Sequence, residues 1–357
     1  MELHDFLNQT ATEQQNTNTL RLPAEWEPQD AILLAWPHQN TDWLPILDQV
    51  TEVYIELIQQ ISRFETVIII APELNLVRAT LQKTAIDPTR IILQQIDTND
   101  TWIRDFGPLT VYADGQPVLL DFTFNGWGSK FPADKDNRAT RHLYDTGLLS
   151  KGQLSTSNLV LEGGSLESDG AGTLLTTTAC LLSSNRNPQL DKGELETKLS
   201  EHLGCDHLLW LDYGWLAGDD TDSHIDTLAR LAPNNTILYV KCHNNTDEHY
   251  PELKKMESQL KRFRTQGGQP FHLIPLPMPQ PCYDGTDRLP ASYANFLIIN
   301  QAILAPIYND PADTLVLKIL GEVFPGREII GVDCRSLLKQ HGSLHCITMQ
   351  LPQGVLQ

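Results

Sequence analysis

The chain has 357 residues, 41% of them hydrophobic and 20% charged, an ordinary globular balance with ample length for a substantial core. Its formal charge of −19 argues against a nucleic-acid partner, which needs a basic footprint, and favours cationic ligands through long-range steering. No run approaches the ~18 consecutive apolar residues of a membrane span, and the polar start, Met1 to Thr19, lacks the basic and apolar regions of a secretory signal.

Residues 1–20 read as a polar lead-in, with Leu3 and Phe6 able to dock on the surface. Ala31 to Trp36 then forms a buried-strand pattern. Trp43 to Ile61 carries apolar residues at helical spacing, and Thr66 to Ala71 (TVIIIA) is a second strand. Pro72 and Glu73 open a short helix, and Ile91 to Ile96 is a third strand. This alternation signals an α/β protein. Further on, Val118 to Phe124, Leu159 to Leu161 and Gly172 to Thr178 read as strands, with hairpin signals at Asp114-Gly115 and Asp169-Gly170. Strands are also predicted at Ile237 to Cys242, Phe271 to Ile274, Phe296 to Asn300, Ala302 to Ile307 and Glu328 to Val332. Helices are predicted at Asp191 to Leu203, Glu252 to Phe263 and Ala312 to Phe324. Strand pairs with a helix recur roughly every 60–70 residues. Residues 21–357 therefore read as one domain of βα repeats.

Four stretches are dense in chemically capable side chains. The first, Asn99 to Pro108, holds Asp100, Trp102, Arg104 and Asp105. It reads either as a salt-bridged turn or as part of a site. In the second, Glu162 precedes paired glycines, as in a plain turn. In the third, Gly218 to Asp226, four carboxylates flank His224, which also suits an acid-loaded helix start. In the fourth, Gly342 and Ser343 precede Cys346, with the alternation Ile347, Met349, Leu351 against Thr348 and Gln350. That places Cys346 where a loop enters a half-buried strand.

Six cysteines form no CxxC pair, which fits a reducing cytoplasm rather than a disulfide framework. The acidic cluster lacks a calcium-loop pattern, and His341 and His345 straddle a Gly-Ser turn, so no metal site is expected. A cysteine nucleophile needs a nearby imidazole or positive charge. One Cys, one His and several carboxylates suit a cationic substrate. A guanidinium presents planar N–H donors that two carboxylates can clamp, leaving its carbon open to the thiolate.

These stretches, in order, resemble the agmatine deiminase family of the guanidine-modifying superfamily. The matching pieces are RLPAEWEPQDAILLAWP from Arg21, NDTWIRDFGP, FNGWGSKF from Phe124 to Phe131, LEGGS with TLLTT, NRNP from Asn185 to Pro188, GDDTDSHID and LHCITMQLP. The resemblance implies a five-bladed α/β propeller of ββαβ-like units. It also implies hydrolysis of agmatine to N-carbamoylputrescine and ammonia without a metal or organic cofactor. Carried over, Cys346 is the nucleophile, His224 the acid/base, Asp105 and Asp226 the guanidinium clamp, and Glu162 a supporting carboxylate. Trp102, Asp220, Arg104 and Trp127 are expected at the substrate, Asp220 near the distal amine.

This chain departs from the common family pattern at three points. It has His341-Gly342-Ser343 where glycine runs are common, Ser223 for a glycine, and Asp220 for a glutamate. All three touch the outer pocket, so the competing substrates are a peptidyl arginine or another guanidino compound. A non-catalytic polyamine-binding protein is the alternative outside enzymes. The expected partner is a small cationic guanidino substrate, with an exposed helix face able to support a homodimer or higher homo-oligomer.

Overall fold

In the computed structural model, which describes residues 20–149 and 153–356, the TVIIIA run forms the strand Thr66–Ala71, with five of its six residues buried. A strand covered on both faces reads as a continuous apolar run. It pairs in parallel with Gln29–Ala35 on one side and Ile91–Gln95 on the other. The helix Leu47–Ile61 crosses between the first two and turns Val50, Val53, Tyr54, Leu57, Ile58 and Ile61 inward. The fourth strand of this sheet comes from the far end of the chain: Met349–Pro352 pairs antiparallel with Gln29–Ala35.

An antiparallel pair, a crossover helix and a parallel third strand recur four more times. Leu109–Ala113 and Gln116–Thr123 are followed by the helix Asp136–Asp145 and the strand Gln153–Val160. Glu167–Ser168 and Thr173–Thr177 lead through Lys192–Leu203 to His207–Leu211. Ala229–Ala232 and Thr236–Lys241 lead through Tyr250–Leu260 to His272–Pro277. Leu297–Ile299 and Ala302–Ile307 lead through Asp313–Val323 to Glu328–Asp333. The described residues thus form five separate sheets of three or four strands, plus a two-stranded ribbon at Tyr283–Asp284 and Asp287–Arg288. The protein is a mixed α/β fold built on the repeat that the sequence suggests.

Local signals account for the joints. Asp114 and Gly115 both have positive φ (51° and 77°), the geometry of a tight hairpin turn. The helix Lys192–Leu203 starts at a capping box between Asp191 and Glu194 and stops at the left-handed Gly204. No helix among the described residues is long and apolar enough to cross a membrane.

Two expectations are corrected. Cys346 does not open an alternating half-buried strand: the strand is Met349–Pro352, and Ile347 through Leu351 are all buried. The polar members bond inside the protein instead of to water, Gln350 to Arg104 and Glu25, and the Thr348 hydroxyl to the Leu344 and His345 carbonyls. The Asp-rich stretch before Asp226 does not start a helix. It passes through the short turn Ile225–Thr227 into the strand Ala229–Ala232. The lead-in at residues 1–19 lies outside the described residues.

Candidate active site

The chemically capable residues occupy one recurring position, the few residues just ahead of each module's first strand. Asp105 precedes Leu109, Glu162 and Gly164 precede Glu167, and His224 and Asp226 precede Ala229. Asn295 precedes Leu297, and Cys346 precedes Met349. Five equivalent loops, each held on a rigid strand, therefore converge on one place.

Cys346 sits where they meet. Its sulfur lies 3.4 Å from Asn295 Oδ1 and 3.9 Å from Asp226 Oδ2. Asn295 Oδ1 also accepts the backbone N–H of His345 at 3.0 Å and of Cys346 at 3.4 Å. Asp105 is held by the Gly164 N–H on Oδ1 and by the Trp127 indole N–H on Oδ2, both at 3.0 Å. His224 Nδ1 faces Asp105 Oδ1 at 3.6 Å, and Nε2 faces Glu162 Oε2 at 3.6 Å. Both distances are ion-pair rather than hydrogen-bond separations, and Nε2 has no hydrogen-bond partner among the described residues. Asp226 Oδ1, fully buried, has none either.

Burial governs the protonation of these groups. Burial, reinforced by the Asp226 and Asp105 carboxylates, pushes the Cys346 thiol well above its usual range. Burial and the neighbouring carboxylates raise Asp105 to about 6, against the opposing pull of His224. His224 goes the other way. Burial disfavours its cation, but Asp105, Cys180 and Glu162 together hold it protonated well above the usual histidine range. Burial therefore favours the neutral thiol, while the surrounding carboxylates favour the charged imidazole.

A pocket opens above the thiol. Trp102, Trp127 and Phe131 give it aromatic walls, and Asp42, Asp100, Asp220 and His341 also line it. Trp127 sits in an unusual turn: Gly126, Trp127, Gly128 and Ser129 all have positive φ, between 54° and 86°. For Trp127 and Ser129 this costs about 1–2 kcal/mol each, and it aims the Trp127 indole at Asp105.

Of the sequence-predicted residues, Cys346, Asp105, Trp102, Trp127 and Asp220 line the pocket. His224 and Asp226 lie against its inner end, and Glu162 stands behind His224. Arg104 is corrected: its buried guanidinium turns away from the pocket to Glu25, Gln350 and the His345 carbonyl. Asp105 and Arg104 are neighbours on one helical turn and cannot face the same way.

The structure adds residues to which the sequence assigns no role at the site. His345 Nδ1 lies 2.8 Å from Asp226 Oδ2, and its Nε2 lies 2.7 Å from Glu25 Oε1. Glu25 also pairs with the fully buried Arg230 at 2.5 Å, which in turn pairs with Glu167. Arg186 donates through Nε to both Glu162 oxygens, at 2.9 and 2.8 Å. Cys180 Sγ lies 3.7 Å from Glu162 Oε2. Asn295 was findable, because it occupies in its module the position that Asp105 and Asp226 occupy in theirs. The ion partners had no local signal, since they come from Glu25 and Arg230, far from Cys346 in sequence.

Two donor groups come close enough to share a cation: Glu162, Cys180 and His224, and Glu25, Glu167 and His345. Each already contains an arginine on its carboxylates, Arg186 in the first and Arg230 in the second.

A thiol against a buried carboxylate, in one converging set of loops with a buried imidazole and a second carboxylate, defines a site for nucleophilic attack on a planar cation. The profile of the Porphyromonas-type peptidyl-arginine deiminase family matches residues 21–352, and the chain belongs to that family. It is 34% identical to the agmatine deiminase of Stutzerimonas stutzeri (strain A1501), over 93% of this chain and 95% of that protein. Among solved structures, a substrate-bound Cys→Ser variant of the C. jejuni agmatine deiminase superposes with a TM-score of 0.87 at 40% identity, over 94% of this chain and 97% of that one. The Enterococcus faecalis agmatine deiminase gives 0.86 at 29% identity, over 94% and 97%.

Proposed function

We propose that this chain hydrolyses agmatine to N-carbamoylputrescine and ammonia, a step that supplies putrescine for polyamine synthesis. The observation that carries the reading is the charge pattern of a single pocket. Two carboxylates share the converging loops with the thiol, one with an unpartnered oxygen, and Asp42, Asp100 and Asp220 also line the pocket. A guanidinium fits the first set and an ammonium tail the second. The carboxylate of free arginine would face like charge.

In this mechanism the incoming guanidinium donates N–H bonds to Asp105 and Asp226, which sets its carbon near the Cys346 sulfur. Its positive charge favours the thiolate, which the empty site disfavours, so the thiol proton is released to solvent as the cation binds. The thiolate adds to the carbon, His224 protonates the departing amine, and ammonia leaves an S-linked thiouronium on Cys346. His224, now neutral, takes a proton from water as that water attacks; the C–S bond breaks and the thiol is restored. Glu162, held by Arg186, supports His224. Trp102 and Trp127 shape the walls around the guanidine.

We read the five modules as blades of a five-bladed α/β propeller with the site at its axis, and residues 21–357 as one catalytic unit. One site loop ahead of the first strand of every module supports both readings.

The test is ammonia release from purified protein with agmatine, free arginine and a blocked arginyl peptide side by side. Turnover on agmatine well above the other two is expected. Preference for the peptide would keep the chemistry and overturn the substrate, and no release from any would overturn the reading.

A further inference from the structure

Lys130 is the cation at the wrong end of an acidic pocket. It follows the left-handed turn that carries Trp127 and precedes Phe131, both pocket walls. Its ammonium donates to the Asp220 carbonyl at 2.7 Å and to Asp222 Oδ1 at 2.8 Å. For a pocket that takes a cationic substrate, a positive charge here opposes binding.

The bonds beyond Lys130 give it another role. Asp222 Oδ2 accepts from Arg186 Nη1 at 2.6 Å, and Arg186 Nη2 donates to the Thr221 carbonyl at 2.8 Å. The Nε of the same arginine holds Glu162, the carboxylate behind His224. Asp222 and Ser223 both have positive φ, 64° and 68°, immediately before His224. The Thr177 hydroxyl pins the Ser223 carbonyl at 2.8 Å. Two backbone segments in left-handed conformation thus face each other, one bearing Trp127 and one bearing His224. Arg186 ties the second to Glu162, and Lys130 bridges the two.

We propose that Lys130 is a positioning residue: its bridge to residues 220–222 fixes the Trp127 turn over the pocket and keeps Trp127 on Asp105 and His224 in register with it. Lys130 touches no reacting atom. It acts through Trp127 and through the Asp222–Arg186–Glu162 chain. The kinetic part rests on the guanidine-hydrolase reading above; the structural part does not.

The two roles predict opposite signs. If Lys130 were only a bystander charge, Lys130→Met would relieve repulsion and lower KM for agmatine. As a bridge, its loss should lower kcat/KM about tenfold or more, since a small misplacement of positioned groups costs that much. Lys130→Arg, which keeps two donors, should recover activity to within about threefold of wild type. Amide hydrogen exchange reads the bridge without substrate: in Lys130→Met, residues 125–131 and 218–223 should exchange faster while the sheet cores stay unchanged. Unchanged exchange in both segments, or a kcat/KM equal to or above wild type, would overturn the proposal. A wild-type protein that hydrolyses no guanidine would overturn the functional reading alone, because the exchange comparison still decides the bridge.

Discussion

One oxygen of Asp226, Oδ2, accepts from His345 at 2.8 Å and also lies 3.9 Å from the Cys346 sulfur. The residue directly before the nucleophile therefore orients a carboxylate beside it. With His345 bonded on its far side to Glu25, Asp226 has one oxygen committed and one left for substrate.

His345→Ala should lower kcat/KM about a hundredfold, because Asp226 loses the imidazole that holds its Oδ2 in a buried setting. His345→Asn places an amide N–H toward Asp226 and should recover part of that loss. Steady-state kinetics on both variants decides the point. An alanine variant as active as wild type would show that Asp226 needs no such support.

Gly164 explains the second glycine of the Glu162-Gly163-Gly164 run. A Cβ there would lie 2.6 Å from His224 Nδ1, 2.8 Å from Asp105 Oδ1 and 3.2 Å from Asp226 Oδ2. Three site residues would have to move apart. Gly164→Ala should cut kcat by about a hundredfold or more, with the melting temperature within a few degrees of wild type. A normal kcat in a folded variant would contradict the placement of these three groups.

The acid limb of the pH profile should come from Asp105. Burial raises its carboxyl to about 6, and only the ionised form clamps a guanidinium. Asp100, raised by burial and by Asp42 to about 6, acts in the same direction on the cationic tail. kcat/KM should therefore rise as pH increases through about 6. A profile flat from pH 5 to 7 would rule out ionised Asp105 as a requirement.

Asp136 offers a stability test away from the chemistry. It accepts the Asn99 N–H at 2.6 Å, and burial with Asp100 and Asp134 nearby raises its carboxyl from 3.8 to about 8. Between those values the unfolded chain has lost the proton that the folded chain keeps, so stability falls as pH rises. Asp136→Asn keeps an acceptor oxygen without the charge. It should raise stability at pH 9 by on the order of 1 kcal/mol and add little at pH 5. Thermal melts at both values read the difference, and a lower melting temperature at pH 9 would refute it.

Much of this was legible in the residues. TVIIIA reads as a strand with the observed bounds, because apolar runs have one use in a parallel sheet. Asp191 and Gly204 mark both ends of their helix by known capping chemistry. The helix Asp136–Asp145 and the strand His207–Leu211 were missed. The first is strongly polar on its outer face, and the second is a short five-residue run. At the site, motif chemistry named the thiol, imidazole and carboxylates. It could not tell that Arg104 turns inward while its neighbour Asp105 faces the pocket, since that depends on Glu25 and Gln350 being in place to receive it.

The pairing of Met349–Pro352 with Gln29–Ala35 has a consequence for synthesis. Gln29–Ala35 emerges from the ribosome early, apolar, with one edge open until residues 349–352 arrive. Such an edge invites pairing with other chains. The nascent protein is therefore obliged to carry an unsealed seam while everything between the two strands is made, and the same closing event that covers the seam delivers Cys346 to its partners. A chain cut short before residue 349 would be both inactive and adhesive, and cells that make it would be expected to keep a chaperone on that first sheet until the last strand docks.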